Sequence, residues 1–219
     1  MWDLFTRLRP RVNRRRHWNR IYESKWPQEV SWYQDSPDLS LALISASGVR
    51  KDAGIIDAGG GESLLVDYLL NAGYTRLAVL DISGKALGVC RTRLGERAKD
   101  VDWFEEDVTS FAPPRRFGLW HDRAVFHFLT DASDRRKYIA AMRDALQPGG
   151  TAIIAVFAPD GPPMCSGLDV SRWDERSLAE ELGADFHLVE SRRETHTTPR
   201  KTEQRFLYAR FQRMPIAGS

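Results

Sequence analysis

The sequence has little cysteine and no long apolar run. Its two cysteines, Cys90 and Cys165, lie far apart and form no CxxC pair, so neither a structural disulfide nor a zinc site is expected. No apolar stretch approaches the length of about 20 residues that spans a bilayer. No apolar signal-peptide core precedes the predicted domain. These features predict a protein of the reducing cytoplasm without a metal centre or membrane contact.

The chain carries a small net charge, which is unevenly distributed. The formal net charge is +2, so composition alone indicates no nucleic-acid partner. The segment from Arg7 to Arg20, however, has seven arginines and no acidic residue. Arginine-rich starts are typical of transit peptides, of RNA or lipid contacts, and of solvated tails. We interpret this one as a solvated tail or as part of the rim of a substrate site.

Short apolar runs alternate with longer amphipathic ones, as in a parallel α/β sheet. The predicted strands are residues 54–58, 76–82, 101–105, 117–122, 151–157, 186–192 and 204–211. The predicted helices are residues 38–47, 63–72, 83–98, 131–146 and 175–182, with Ser83 as an N-cap and residues 148–150 as a turn. The fold class predicted is α/β: a doubly wound, mostly parallel seven-stranded sheet with an antiparallel C-terminal strand.

The length of 219 residues fits one domain with a substantial core. We predict a basic, aromatic-rich segment or lid in residues 1–36, one catalytic domain in residues 37–213, and a tail in residues 214–219.

A glycine triplet, Gly59, Gly60 and Gly61, follows the first predicted strand in the segment IIDAGGGES. Glycines at this turn let a ligand approach the backbone closely, and the helix behind them offers free N–H groups. Leu64 replaces the third glycine of the dinucleotide pattern Gly-x-Gly-x-x-Gly. Asp57 would repel a pyrophosphate, but it suits the α-ammonium group of a methionine moiety. The loop therefore favours S-adenosylmethionine (SAM) over a dinucleotide.

Acidic residues also follow the second and third predicted strands. Asp81, followed by Ile82, is placed to accept hydrogen bonds from both hydroxyls of a ribose. Asp107 is placed to accept from an adenine amino group, while the N–H of Val108 contacts the ring. Because ligands bind at the carboxyl ends of strands in open α/β sheets, these residues and the glycine loop predict one nucleoside site.

These motifs resemble those of class I SAM-dependent methyltransferases over residues 45–211. The resemblance rests on IIDAGGGES, on the aspartate in LAVLDIS, and on the segments EEDVTSF and LQPGGTAII. It implies the Rossmann-like fold of that family, SAM as cofactor, and methyl transfer by in-line displacement. A narrower resemblance joins LWHDRAVFHFLTDASDRRKYIAAM to the Trp-Asp-Arg-Gly region of thiopurine and thiol methyltransferases, with His121 inserted and Ala124 in place of the glycine.

An aromatic-rich segment precedes the predicted sheet. Trp18, Tyr22 and Trp26 recur at the i, i+4, i+8 spacing of one helical face. One interpretation is that they pack a helix onto the sheet, and the other is that they form a lid that closes over SAM and excludes water. Trp32 is the predicted cofactor contact, since an aromatic face attracts the sulfonium cation.

The candidates for catalysis lie near the end of the fourth predicted strand. They are His121, Asp122 and Arg123, and the resemblance places the last two beside the methyl acceptor. Arg123 would grip an anionic or aromatic acceptor, whereas the alternative is an Asp–Arg pair that braces the loop. His127, in the apolar run VFHFL, is expected to be a satisfied, partly buried histidine. Cys165 is expected in the acceptor wall.

The expected function is methyl transfer to a small-molecule acceptor, with a thiol or another soft heteroatom as a candidate. A thiol, with a pKa of about 8.5, is partly ionised at neutral pH and needs no general base. A protein-lysine methyltransferase is the alternative, and a non-catalytic SAM-binding regulator is the alternative from another class. A nucleic-acid enzyme is disfavoured, because no Asn/Asp-Pro-Pro-Tyr step follows the fourth strand. The oligomeric state does not follow from the sequence.

Overall fold

The computed structural model describes residues 12–215, so three of the N-terminal arginines and the end of the predicted tail lie outside the described residues. Within that range the α-helices are Arg14–Ser24 (α1), Asp38–Ala46 (α2), Leu65–Asn71 (α3), Gly84–Leu94 (α4), Ala132–Ala145 (α5) and Glu175–Leu182 (α6). The strands are Ile55–Ala58 (β1), Leu77–Asp81 (β2), Val101–Glu105 (β3), Phe117–Arg123 (β4), Leu146–Phe157 (β5), Met164–Cys165 (β6), Leu168–Asp169 (β7), Phe186–Thr197 (β8) and Glu203–Arg213 (β9).

Seven of these strands form one sheet in the order β3-β2-β1-β4-β5-β9-β8. The first five are parallel, and β9 is antiparallel to both of its neighbours. This topology confirms the predicted fold class. The chain winds outward in one direction from β1 and in the other from β4, so the crevice for a ligand opens at the carboxyl ends of these two strands.

Helices cover both faces of the sheet, which is why its central strands are continuous apolar runs rather than alternating ones. Adjacent residues of β4 point to opposite faces: Leu119 packs in the cluster that includes Leu65 and Leu87 of α3 and α4. Trp120 packs in the cluster that includes Tyr138 of α5. With both faces buried, the tips of the strands are the part of the sheet that a ligand reaches.

Some element boundaries differ from the predicted ones. Strand β5 begins at Leu146, five residues before the predicted start, because Leu146 pairs with Phe117 ahead of a shift in register. The predicted turn at residues 148–150 is therefore an irregularity inside the strand, with Gly149 at a φ of 73°. The helix that begins after Ser83 ends at Leu94, and a 3₁₀ turn continues to residue 100. Ser83 is its N-cap, as predicted, and accepts from the N–H of Ala86.

The aromatic segment begins with α1, which is capped by the side chain of Asn13. Trp18 and Tyr22 lie on its inner face and line a cavity of the fold. The prediction that Trp26 shares this face is wrong, because the helix ends at Ser24 and the Trp26 side chain is 75% exposed. No helix in residues 12–215 is both long and apolar enough to span a membrane.

Candidate active site

Two adjoining cavities lie at the carboxyl ends of β1, β2 and β4. The first encloses about 870 Å³ and the second about 600 Å³, and both volumes include space that is open to solvent. Trp32, Gly59 and Arg123 line both cavities, so the two form one continuous cleft. We call the place where these three residues meet the junction.

The glycine loop forms the floor of the cleft, and its backbone leaves no room for side chains. Gly59 has a φ of 71°, and a Cβ there would lie 1.9 Å from Cγ2 of Val125. A Cβ on Gly61, whose φ is 50°, would lie 2.5 Å from the hydroxyl of Tyr22. The N–H of Gly59 donates to the carbonyl of Leu80 over 2.6 Å, which ties the loop to β2. Glycine therefore lets the loop pack closely against Val125 and Tyr22, and Gly59 lines both cavities. We call this loop the glycine cradle.

The first cavity brings together Asp81, Ile82, Asp107 and Val108, which sequence reasoning assigned to an adenosine. Asp81 is 6% exposed and accepts from the N–H of Ser83 over 2.8 Å. Burial raises its pKa to about 7, although backbone N–H donors oppose that effect. An acidic acceptor in a half-closed apolar cleft suits paired sugar hydroxyls, which donate to it without bringing a charge.

Asp107 is held from two sides. One carboxylate oxygen accepts from the N–H of Thr109 over 2.9 Å and from its hydroxyl over 2.7 Å. The other lies 3.4 Å from a guanidinium nitrogen of Arg14, which also pairs with Asp134. Helix α1 therefore packs over this cavity through the ion pairs of Arg14 as well as through its aromatic side chains.

Asp57 lies in the second cavity, at the opposite end of the cleft. One of its oxygens is 2.7 Å from Nδ1 of His121, its neighbour in the register of β1 and β4. Nε2 of His121 is 2.9 Å from the hydroxyl of Ser40 in α2. Both ring nitrogens of His121 are thus engaged, and this arrangement orients the Asp57 carboxylate.

Asp122 contributes to the turn after β4 rather than to the cleft. The residue is fully buried. Its carboxylate accepts from the N–H of Val125 over 2.9 Å and from the N–H of Phe126 over 3.1 Å. It also accepts from the hydroxyl of Tyr138 over 2.6 Å. Burial raises its pKa to about 6, and these donors oppose that effect. Asp122 braces the loop, but through these groups rather than through an ion pair with Arg123.

Arg123 points from the end of β4 into the junction. Its Nε donates to the hydroxyl of Tyr208 over 2.7 Å, and Nη1 donates to the carbonyl of Trp32 over 2.8 Å. Nη2 lies 3.8 Å from a carboxylate oxygen of Glu194 and has no hydrogen-bond partner. Tyr208 donates to Glu194 over 3.1 Å, and Gln34 donates to it over 3.4 Å. The guanidinium is therefore held in one orientation, with Nη2 buried near Glu194 and without a hydrogen-bond partner.

Aromatic rings from the N-terminal segment and from the turn after β4 form the roof of the first cavity. Trp18 packs edge to face on Trp32 at 5.8 Å and on Phe128 at 5.0 Å, and Tyr22 packs on Trp32 at 6.2 Å. Cys165, from the short hairpin β6–β7, lines the same cavity, and burial raises the pKa of its thiol. This roof is apolar and shields the junction from water.

His127 is buried completely, beyond the partial burial that was predicted. Its Nδ1 accepts from the N–H of Phe157 over 3.3 Å, while Nε2 has no partner. Burial lowers its pKa to about 3, so the ring is neutral at physiological pH. Residues 12–215 contain no group of histidine, cysteine and acidic side chains arranged to hold a metal ion.

Several contributors to the cleft were missed by sequence reasoning. Glu62 lies in the second cavity, and the only signal for it was an acidic residue directly after the glycines. Glu194 and Tyr208 hold Arg123 but are 71 and 85 positions away along the chain, without any local motif. Phe128 had a signal, since it falls in the aromatic stretch after β4.

Comparisons with known proteins agree with this geometry. The model of a family described as a methyltransferase domain matches residues 55–150. The ubiquinone biosynthesis O-methyltransferase of Aromatoleum aromaticum is 25% identical over 181 residues, which cover 83% of this chain and 68% of that protein.

Two solved structures share the fold. One, from work on the conversion of a disulfide bond into a thioacetal group during echinomycin biosynthesis, has a TM-score of 0.74 at 18% identity and covers 90% of each chain. The other is Burkholderia thailandensis 1,6-didemethyltoxoflavin-N1-methyltransferase with bound 1,6-didemethyltoxoflavin and S-adenosylhomocysteine. It has a TM-score of 0.67 at 23% identity and covers 90% of this chain and 84% of that one. The narrower resemblance to thiopurine methyltransferases stays a prediction. Residues 55–150 therefore carry a methyltransferase domain, and the sheet has the fold of the class I SAM-dependent methyltransferases.

Proposed function

We propose that SAM lies across both cavities, with its adenosine in the first and its methionine moiety in the second. The glycine cradle and the hydrogen-bond acceptors Asp81 and Asp107 support the adenosine half of this placement. Asp57, oriented by His121, supports the methionine half, because it faces the cavity as an anion for an ammonium group. When bound, SAM supplies an electrophilic methyl group on a positively charged sulfur.

The junction, below Trp32, is then the place of methyl transfer. The described residues of the junction offer no general base, since His121 is engaged at both nitrogens and Asp122 accepts from three donors outside the cleft. Arg123 places a guanidinium at the junction, and its Nη2 lies 3.8 Å from Glu194 without a hydrogen-bond partner. This combination favours an acceptor that brings its own anion, and Arg123 would hold that anion in place.

The acceptor that we propose is a small molecule with a thiol or another soft heteroatom. A thiol is partly ionised at neutral pH, and the aromatic roof formed by Trp18, Trp32 and Phe128 suits a flat or apolar body. A protein lysine would have to lose a proton to a base, and the described part of the junction lacks one. The observation that carries the proposal is the Nη2 of Arg123, which is buried and has no hydrogen-bond partner.

We also propose a division of the chain into a lid, residues 1–36, and a methyltransferase domain, residues 37–213, followed by a short tail. The described part of the lid is fastened to the domain by contacts at the cleft. Arg14 pairs with Asp107, and the hydroxyl of Ser83 donates to the side chain of Asn19 over 2.6 Å. Closure of this segment over the cofactor would exclude water from the junction.

The test is a methyl-transfer screen with labelled SAM and matched acceptors, each an aromatic thiol paired with the corresponding phenol and aniline, together with a protein extract. We expect the thiols to be methylated fastest. In Arg123→Gln the KM for an anionic acceptor should rise about tenfold, the loss of one charge-assisted contact. Arg192→Gln, at an exposed arginine of β8 paired with Glu190, is the matched control and should change nothing. Methylation of the anilines or of protein alone would contradict the proposed acceptor class.

A further inference from the structure

Glu62 is a buried carboxylate for which the described chain provides no complete set of partners. The residue is 7% exposed, and its Oε2 has no hydrogen-bond partner. It lines the second cavity together with Asp57. Buried carboxylate oxygens are normally paired, because an unpartnered one carries the full cost of desolvation. Such an oxygen at the wall of a ligand cavity indicates that a ligand supplies the missing donor.

The charged neighbours of Glu62 do not fill that role. Arg93 is the nearest cation, but its guanidinium donates to the backbone carbonyls of Glu62 and Ser63 and to the carboxylate of Asp67. The remaining groups that act on Glu62 from the packed elements are acidic or neutral: Asp81 at the end of β2 and Tyr22 of α1. Burial raises the pKa of Glu62 to about 7, Arg93 opposes this rise, and Asp81 adds to it.

We propose that Glu62 is a cofactor-positioning residue whose carboxylate, with that of Asp57, receives the α-ammonium group of SAM, and that binding of the cofactor expels a proton from Glu62. This inference rests on the proposed placement of the methionine moiety in the second cavity. The proton leaves the Glu62 carboxyl for the solvent, and the ammonium group takes its place as the hydrogen-bond donor. The pair of carboxylates then distinguishes the charged amino-acid end of the cofactor from a neutral nucleoside.

The consequence is a dependence of cofactor affinity on pH. With a pKa of about 7, Glu62 is mostly protonated at pH 6 and mostly charged at pH 7.5 in the free protein. The affinity for the cofactor should therefore rise about fivefold from pH 6 to 7.5. This rise is smaller than the increase in the charged fraction of Glu62, because the α-amino group of the cofactor begins to lose its own proton near pH 7.7–8.0. Near pH 7, binding should release about half a proton from Glu62.

Two ligands separate Glu62 from the other titratable groups of the cleft. S-adenosylhomocysteine carries the amino-acid end, whereas 5′-methylthioadenosine lacks it but keeps the ribose that faces Asp81. A proton released at Asp81 appears with both ligands and cancels in the difference. A proton exchanged at the Asp57–His121 pair would also contribute to the difference in proton release between the two ligands. The Glu62→Gln variant is therefore needed to show which part of that difference comes from Glu62.

The experiment is titration calorimetry of the full chain with both ligands, at pH 6.0, 7.0 and 7.5, in buffers of different ionisation enthalpy. We expect S-adenosylhomocysteine to release about half a proton more than 5′-methylthioadenosine at pH 7 in the wild type. The difference should fall by about half a proton in Glu62→Gln. This variant should bind S-adenosylhomocysteine about tenfold more weakly at pH 7.5, the loss of one charge-assisted hydrogen bond. Glu96→Gln, at an acidic residue that is 96% exposed and lies outside both cavities, is the matched control and should keep the difference.

The outcomes separate this inference from the proposed function. If the folded wild type binds S-adenosylhomocysteine but Glu62→Gln leaves proton release and affinity unchanged, the inference is wrong and the placement of the cofactor stands. If the folded wild type does not bind S-adenosylhomocysteine at all, the proposed placement itself is wrong. Thermal melts of both variants show that each is folded before its titration is interpreted.

Discussion

Replacement of Asp122 should destabilise the fold, because its carboxylate satisfies three buried donors in the turn after β4. Hydrogen bonds to a charged group contribute about 1.5–3 kcal/mol each, so the three together contribute about 6 kcal/mol. Burial of the carboxylate offsets part of this sum, and the pKa raised to about 6 is the net result of burial and of these donors. We therefore expect Asp122→Ala to lower the free energy of unfolding by about 3 kcal/mol.

For a chain of this size that loss corresponds to a Tm lower by roughly 6–12 °C. The assay is urea unfolding at pH 7 followed by fluorescence, with a thermal melt alongside it. Tyr138→Phe removes one of the three donors to Asp122 and also the acceptor of the Trp120 indole N–H, and it should cost about 2 kcal/mol. Asp174→Ala removes an exposed helix cap at α6 and should cost less than Asp122→Ala. A fully folded Asp122→Ala with the stability of the wild type would refute the bracing role.

Further predictions concern the glycine cradle and the buried acids. Gly59→Ala places a Cβ 1.9 Å from Val125 at a φ of 71°. This variant should weaken SAM binding at least tenfold in calorimetry, the equivalent of about 1.4 kcal/mol. Gly73→Ala, also at positive φ but with open space around it, should leave the affinity for SAM unchanged. Glu62 and Asp81 both have a pKa raised to about 7, so these two groups bind more protons in the folded chain than in the unfolded chain between about pH 4 and 7. The buried His127, with its pKa lowered to about 3, acts in the opposite direction. The part of the stability that Glu62 contributes should fall as pH rises through this window, so the wild type should lose more Tm than Glu62→Gln from pH 5 to 7.5, and equal changes in both proteins would contradict the raised pKa of Glu62.

Much of the fold was predictable because its signals are local. The apolar runs of β1, β2 and β4 are continuous, since both faces of the sheet are covered. Ser83 ahead of an amphipathic run predicts a helix start, and the structure confirms it. The early start of β5 was missed, because Pro148 and two glycines normally end a strand or helix rather than lie within a paired strand.

The site was less predictable, because its roles depend on which face a residue occupies and on distant partners. Asp122 and Arg123 are neighbours on β4, so their side chains point to opposite faces, and one braces the core while the other reaches the cleft. The sequence of these two residues alone does not predict which of them faces the core and which faces the cleft. Arg123 contacts Tyr208 of β9 and Glu194 of β8. These strands come near β4 only because β9 pairs with β5 and β8 in the folded sheet, so no local sequence pattern predicts the contacts.

The most direct test of cofactor placement is a calorimetric titration of SAM into the wild type and into Asp81→Ala, with NAD as the competing ligand. We expect micromolar binding of SAM to the wild type, a typical small-molecule affinity of about −8 kcal/mol, and no binding of NAD. Asp81→Ala, shown to be folded by its melt, should bind SAM at least tenfold more weakly, since it loses the acceptor for the ribose hydroxyls. An affinity for SAM that is the same in both proteins, or NAD binding tighter than SAM binding, would contradict the placement of the cofactor in this cleft.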